Sequence, residues 1–388
     1  MPTWKDSMFL ALREIRHQPT RFTLITTSIV LLAYLTFFLV SLATGLAHSY
    51  RAAIDQWNTG SIVLMDSADG SMQASRMDLE TVNKLLAVLD EGGRSDVEVL
   101  LSSPAVLEGE APAGRNNAEP NKDGLVKTDA YAWGLGTDSA LMPDVIDGRN
   151  IEDPDSEVLI DSSLTQEGWA VGDSFKISGF DHEWTIVGSV DDYTYQAAPI
   201  VLVDRQALAE HAIADGMTVA SALVVPEAID PENSTDATLA ADLADNEAEA
   251  IAADDFISKL PGYSVQILTF TLMIASLIVI ASFVLGIFIY VLTLQKRPVL
   301  GILKARGVPT SYLIRAGAAQ TGLLVTTGVA IGLALTVASG LVLPAAVPFR
   351  ANISLSILIT AAFIIVSLIG GLISVRVVAR IDPVEAIQ

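Results

Sequence analysis

The stretch GLAHSYRA, residues 45–52, puts His48, Tyr50 and Arg51 within four positions. An imidazole or a phenol can ligate a metal, and a guanidinium can hold a carboxylate. A further phenol, Tyr263, follows Pro261 and Gly262, and another, Tyr195, lies in the block DDYTYQAAPIVLVD. No cysteine occurs, so thiolate ligation is excluded. The four histidines, His17, His48, His182 and His211, fall at no zinc-binding spacing, and no structural metal site is expected. There is no GxxxxGK[ST] for a phosphate loop, no HExxH and no GxSxG. The chain is therefore not expected to be an enzyme. Paired acids such as Asp191 and Asp192 carry little information in a segment this acidic.

Long apolar runs must position these residues. No fully charged side chain occurs between Arg21 and Arg51, Lys259 and Lys296, Arg315 and Arg350, or Arg350 and Arg376. About 20 apolar residues cross a bilayer core of about 30 Å, so four transmembrane helices are expected, over 22–47, 260–295, 314–342 and 353–376. The first run exceeds the roughly 7–15 residues of a cleaved signal segment and reads as an anchor. As one helix, 260–295 would reach about 54 Å and protrude as a stalk. Span three carries Gly328, Gly332, Thr336 and Gly340, a small residue at every fourth position. Such a stripe lets a neighbouring helix approach closely, in this chain or in another. No ionisable group lies inside the runs, whereas ion-coupled carriers generally bury one there. The energy source must then be a partner.

Charge sets the orientation. Basic residues flank the runs at Lys5, Arg13, Arg16 and Arg21, at Lys296, Arg297, Lys304, Arg306 and Arg315, and at Arg376 and Arg380. Of the 45 acids, only Asp6, Glu14, Asp382 and Glu385 lie outside 48–262. Positive flanks stay in the cytoplasm. The fold class is then a membrane protein of four transmembrane α-helices, one and then three. A mixed α/β extracellular domain, 48–259, is inserted between helices one and two. The remaining pieces are a cytoplasmic amphipathic helix over 1–21, a cytoplasmic loop over 296–313, a short extracellular loop over 343–352 and a cytoplasmic tail over 377–388. In the first of these, Trp4, Met8, Leu12 and Ile15 share one helical face.

Inside 48–259, RMDLETVNKLLAVLDEGG predicts a helix with Leu79, Val82, Leu85, Leu86 and Leu89 on one side and glycines as its stop. SEVLIDSSL, VGDSFKISGFDHEWTIVGSVDD and APIVLVD predict short strands separated by Gly-Asp turns. EAPAGRNNAEPNKDG is a loop by composition. The alanine-rich acidic stretch 227–256 reads equally as helix or as linker.

One long exterior domain after the first span, then three clustered spans, resembles the permeases of the MacB/FtsX type of ABC transporter. GILKARGVPTSYLIRA looks like the helix by which those proteins dock onto a separate ATPase, and ARIDPVEAI is similar to their C-terminal DPxEA motif, here Asp382, Pro383, Glu385 and Ala386. A narrower resemblance, to the haem-exporting permeases of Gram-positive bacteria, rests on GYSVQILTFTLMIASLIVIASFVLGIFIYVLTLQKRPVLGILKARG, TRFTLITTSIVLL, VGDSFKISG, DDYTYQAAPIVLVD and VLPAAVPF. Where relatives carry a Glu before span two, this chain reads GYSVQIL.

The resemblance implies a bacterial plasma-membrane permease with both termini inside, working as a homodimer with two copies of an ABC ATPase. ATP and Mg would be bound by the partner; this chain would have no cofactor of its own and no nucleic-acid partner. Haem would be the substrate, drawn from membrane lipid. Haem-handling candidates are Tyr263, Tyr195, His48, Tyr50 and Arg51. ATPase-coupling candidates are Leu300, Gly301, Ile302, Leu303, Lys304, Arg306 and Gly307, with Pro298 before them and Gly307-Val308-Pro309 ending the element. Blander roles compete: Tyr and Arg at span ends anchor helices at the interface, and a basic loop also holds topology. Two alternative functions remain. One is a MacB- or LolC-like permease that extrudes lipoprotein or another amphiphile; the other is an FtsX-like signalling protein that controls a cell-wall hydrolase.

Overall fold

The computed structural model describes residues 19–57, 59–110, 124–213, 217–295, 302, 306–343 and 347–365. Two units emerge: Met1–Gly45 with Leu268–Gln388, and Leu46–Ile267. Most of the amphipathic helix expected over 1–21, the tail 377–388 and the end of the fourth span lie outside the described residues.

Helix α1 runs unbroken from Pro19 to Gln56. A first-turn proline is tolerated because its missing N–H would have no intrahelical partner. The expected limit at residue 47 marks the end of the apolar run, whereas the helical hydrogen bonds continue. Ala52 and Ala53 favour helix, and Arg51 pairs with Asp55 one turn on at 2.7 Å. Ala53, Ile54 and Trp57 then bury in the core of the second unit.

That unit is built on one eleven-stranded sheet. Its strands are β1 (Ser61–Met65), β2 (Glu98–Glu110), β3 (Leu125–Leu135), β4 (Val145–Gly148), β5 (Glu157–Asp161), β6 (Ser174–Ile177), β7 (Glu183–Val190), β8 (Thr194–Tyr195), β9 (Ala198–Asp204), β10 (Ala222–Val225) and β11 (Ala248–Ala252). The main path is β11-β1-β10-β2-β3-β9-β5-β7-β4. Because β6 pairs with both β2 and β7, the strands β2, β3, β9, β5, β7 and β6 close into a ring. Successive side chains point to opposite faces of a strand. Accordingly Leu107, Ala132, Ile160, Phe175, Trp184 and Val201 join one buried cluster. Trp133, Leu159, Ile200 and Leu202 join another.

The helices of this unit are α2 (Leu79–Glu91), α3 (Ser162–Gln166), α4 (Arg205–His211), α5 (Ser234–Asp245) and α6 (Ala253–Lys259). Helix α2 starts where the Asp78 carboxylate accepts from Thr81 N–H at 2.8 Å and stops at Gly92 and Gly93, the latter at φ +78°. Val82, Leu85 and Leu89 form its buried face. Leu79, expected on that face, is the first residue of the helix and is 60% exposed. The acidic stretch 227–256 is ordered: it forms α5 and the edge strand β11. Arg94 holds Asp236 at 3.0 Å and Glu227 at 2.9 Å, while Leu239 and Leu243 pack with α2.

The first unit contains the start of α1 with α7 (Tyr263–Gln295), α8 (Thr310–Val342) and the apolar helix α9 (Ile353–Ile365). Among the described residues three helices are long and apolar enough to cross a membrane: Phe22–Gln56, Tyr263–Phe288 and Arg315–Val342. This is a membrane-protein fold with an α/β domain inserted after the first long helix. Phe22, Ile25, Ile29, Ala33, Phe37 and Val40 recur at steps of three and four and bury against Ala281, Leu285, Leu324, Val325, Val329 and Phe363. The small-residue stripe of α8 meets α1 of the same chain. A Cβ on Gly328 would lie 2.5 Å from the Ile29 side chain, and one on Gly332 would lie 2.8 Å from Ala33 Cβ. Tyr34 Oη and Ser339 Oγ add a hydrogen bond of 3.0 Å to this seam.

Candidate functional site

Within residues 46–267, the last turns of α1 and the first of α7 gather a polar cluster. His48 Nε2 lies 2.6 and 2.7 Å from the two carboxylate oxygens of Asp192. Its Nδ1 is 4.0 Å from Asp55. Arg51 donates through Nε and Nη2 to Asp55 at 2.7 Å each and lies 3.5 Å from Asp254. Asp55, and after it the Tyr263 phenol, helps to raise the Arg51 pKa above its ordinary value, and the Tyr263 ring packs on Tyr50 with centroids 5.8 Å apart. Gly262, at φ +79°, makes the turn from α6 into α7 that brings Tyr263 here.

A turn after β7 holds the other side. Asp161, buried and capping α3, accepts from Tyr193 N–H at 2.7 Å. Burial pushes the Asp161 carboxyl above the usual carboxylate range, against the hydrogen bonds it accepts. The Tyr193 hydroxyl donates to Leu141 O at 2.7 Å and accepts from Trp57 Nε1 at 2.9 Å. Asp192, Gln196 and Ala197 all take positive φ, at +57°, +49° and +61°. Each such residue costs about 1–3 kcal/mol. The strain aims Gln196 N–H at Tyr50 O (3.0 Å), Ala197 N–H at Ser49 O (3.1 Å) and the Thr194 hydroxyl at Ser49 O (2.9 Å). The turn thus grips one stretch of α1 through its backbone.

The structure therefore brings together His48, Tyr50, Arg51 and Tyr263, with His48 and Arg51 already committed to carboxylates. An incoming acid would compete with Asp55 for Arg51, and a metal would compete with Asp192 for His48 Nε2. Tyr195 stands apart. It is 0% exposed, packed edge-on to Tyr131 at 5.2 Å, and burial holds its phenol well above the ordinary value. A buried, protonated phenol is not placed to meet a ligand in this conformation. Asp55, Asp192 and Asp254 are missed by the sequence reading. Asp192 in particular belongs to a pair of acids set aside there as uninformative, and nothing local ties it to His48, 144 positions away.

Within the other unit, α1 and α7 flank an open apolar groove of about 580 Å³. Leu35, Phe38, Leu39 and Leu42 form one wall, and Leu272, Met273, Ser276, Leu277 and Ile280 the other. Of the coupling candidates, Leu300, Gly301, Leu303 and Lys304 lie outside the described residues. Ile302 and Arg306 are exposed, Arg306 N–H donates to Ile302 O at 3.0 Å, and Gly307 takes φ +84°.

No protein-family model matches the chain. It is 26% identical over 380 residues to a putative hemin transport system permease protein HrtB of Staphylococcus haemolyticus, covering 98% of this chain and 99% of that one. It is 24% identical over 388 residues to an uncharacterized ABC transporter permease of Mycobacterium bovis, with the same coverage. Among solved structures, the periplasmic region of MacB from Actinobacillus actinomycetemcomitans aligns at a TM-score of 0.35 and 14% identity, over 51% of this chain and 91% of that one. From end to end, the sequence is similar to ABC transporter permeases, and that similarity supports a permease that works with an ATPase partner.

Proposed function

We propose that this chain is the membrane subunit of an ABC exporter for haem, working as a homodimer with two copies of a separate ATPase. The observation that carries the proposal is the apolar groove between α1 and α7, of about 580 Å³. That volume falls within the roughly 300–1,000 Å³ of small-molecule sites, and its walls suit a flat apolar ring. Met273 offers a thioether to an iron. Full-length similarity to hemin permeases supports the choice of cargo. Both termini and 296–313 would lie in the cytoplasm and the acidic domain outside, a reading that the positive flanks of the apolar runs support.

The partner would bind ATP and Mg. Closure of the ATPases would push on 296–313, where exposed Ile302 and Arg306 are available for docking. Helix α7, continuous from Tyr263 to Gln295, would carry that displacement along its length. His48, Arg51, Tyr50 and Tyr263 would serve cargo by exchanging partners: a propionate for Asp55 on Arg51, an iron for Asp192 on His48.

A haem titration of the detergent-purified protein tests the cargo. Saturable absorption near one haem per chain is expected, weakened by Ser276→Trp, which fills the groove, and by Tyr263→Ala and His48→Ala. Uptake no tighter than that of empty micelles would end the haem reading and leave another amphiphile to be sought. Co-expression with an ATPase unable to hydrolyse ATP tests the drive. Haem tolerance should be lost, and continued export would sink the coupling scheme.

A further inference from the structure

The α/β domain gathers a second constellation far in sequence from the first. His182 and His211 stack face to face, with ring centroids 3.9 Å apart and planes at 6°. His211 Nε2 lies 2.9 Å from Asp155 Oδ1, and His182 Nε2 lies 2.8 Å from the backbone carbonyl of the same Asp155. Ligand atoms of the three side chains all fall within 4.8 Å of one another. The 29 positions that separate His182 from His211 conceal this pairing in the sequence.

Sheet topology explains the convergence. Strands β5 and β7 are parallel, so the turns that precede them, carrying Asp155 and His182, emerge at the same end. Strand β9 runs antiparallel to β5, so α4, which follows it and ends at His211, returns to that end as well. Beneath the pair lies Trp184, 0% exposed, with its ring 4.5 Å from His182. An apolar floor limits water to one side of such a site and strengthens ligand bonds above it. Asp155 is exposed and both histidines are half-buried, which leaves an approach from solvent.

We propose that Asp155, His182 and His211 form a binding site for a late first-row divalent transition ion of the Zn²⁺ type, with solvent completing the coordination. Two imidazoles and one carboxylate are the donor set that such ions select, whereas Ca²⁺ and Mg²⁺ require an oxygen cage. Tetrahedral bonds of about 2.0 Å put ligand atoms about 3.3 Å apart, so the present spacing closes by side-chain rotation alone. A metal lies in the plane of each imidazole it binds. The stacked rings must therefore splay, and a ring that ligates through the Nε2 now facing Asp155 does so as its other tautomer, with the proton on Nδ1. Bound metal would tie the end of α4 to the turns before β5 and β7.

Calorimetric titration of the detergent-purified full chain with ZnCl₂ tests the site, alongside Cu²⁺ electron paramagnetic resonance. One ion per chain is expected, with two imidazole nitrogens coupled to Cu²⁺. Losing an outer partner of a ligand costs about 10–100-fold in metal affinity, and losing a ligand costs more. His182→Ala, His211→Ala and the shape-conserving Asp155→Asn should each weaken Zn²⁺ by at least about tenfold, whereas His17→Ala should not. Unchanged affinity in the His182 or Asp155 variant overturns the proposal. So does a Cu²⁺ spectrum of the unmodified chain with fewer than two nitrogens, a result independent of whether any variant folds.

Discussion

Replacing Gly332 by alanine adds one methyl group to the seam between α1 and α8, and the geometry fixes what that methyl meets. Its Cβ would lie 2.8 Å from Ala33 Cβ, 2.9 Å from Tyr34 N and 3.1 Å from Val30 O. Carbon atoms prefer about 3.5–4.0 Å, so the shortfall approaches 1 Å. None of the three atoms is the end of a flexible side chain, and relief requires the helices to separate. A gap of about 0.5–1 Å forfeits a quarter to a half of the dispersion energy at each contact it opens. Overpacking of this kind costs about 1–3 kcal/mol. Against it stands the helix preference of Ala over Gly, about 0.8–1.0 kcal/mol. Gly317 is the internal control: it lies in the same helix and a Cβ there meets nothing within 4 Å, so Gly317→Ala collects the preference without the clash. Thermal unfolding in detergent should place Gly332→Ala below Gly317→Ala by about 1–3 kcal/mol. If the two unfold together, or Gly332→Ala is the more stable, α8 does not pack on α1 through this glycine and the intrachain seam is wrong.

Tyr193→Phe strands the Trp57 indole N–H and the Leu141 carbonyl in the core, and should lower stability by about 1–3 kcal/mol in chemical unfolding. The Glu157 carboxyl is held down to about 2 by Arg149, with the N–H groups of Glu152 and Asp153 assisting. Its stabilising contribution is therefore complete above the unfolded value of 4.5 and is lost as pH falls from there toward 2. Glu157→Gln should flatten that part of the acid-unfolding curve, and a curve identical to the parent's would show that the pair does not form. Asp192→Asn frees His48 from its carboxylate. If haem iron takes His48 by displacing Asp192, this variant should bind haem more tightly in the absorption titration, while weaker binding would assign Asp192 a direct part.

Hydropathy and charge, read along the chain, are enough to locate the apolar runs and the acidic domain between the first two. These properties depend on local composition alone, since a run of uncharged residues reports its length whatever surrounds it. The strands around Val158, Phe175, Trp184 and Val201 are legible for a similar reason: β-branched and aromatic residues alternate with polar ones between Gly-Asp turns. The long hairpin of β2 and β3 and the edge strand β11 are less so, because Pro104 in β2 and the alanines and acids of β11 are poor strand formers that pairing overrides.

Contacts between distant positions are a different matter. Nothing near His48 announces Asp192, and nothing near His182 announces His211. The stripe of glycines in α8 declares that some helix packs there, but only the tertiary structure identifies α1 as that helix. Likewise the end of the apolar run at residue 47 says nothing about the end of α1, which continues because Ala53, Ile54 and Trp57 find a core to enter. Local chemistry determines what each segment prefers to be. Which segments meet depends on the closing of the sheet into a ring and on the complementarity of faces far apart in the chain, and there the polar clusters are made.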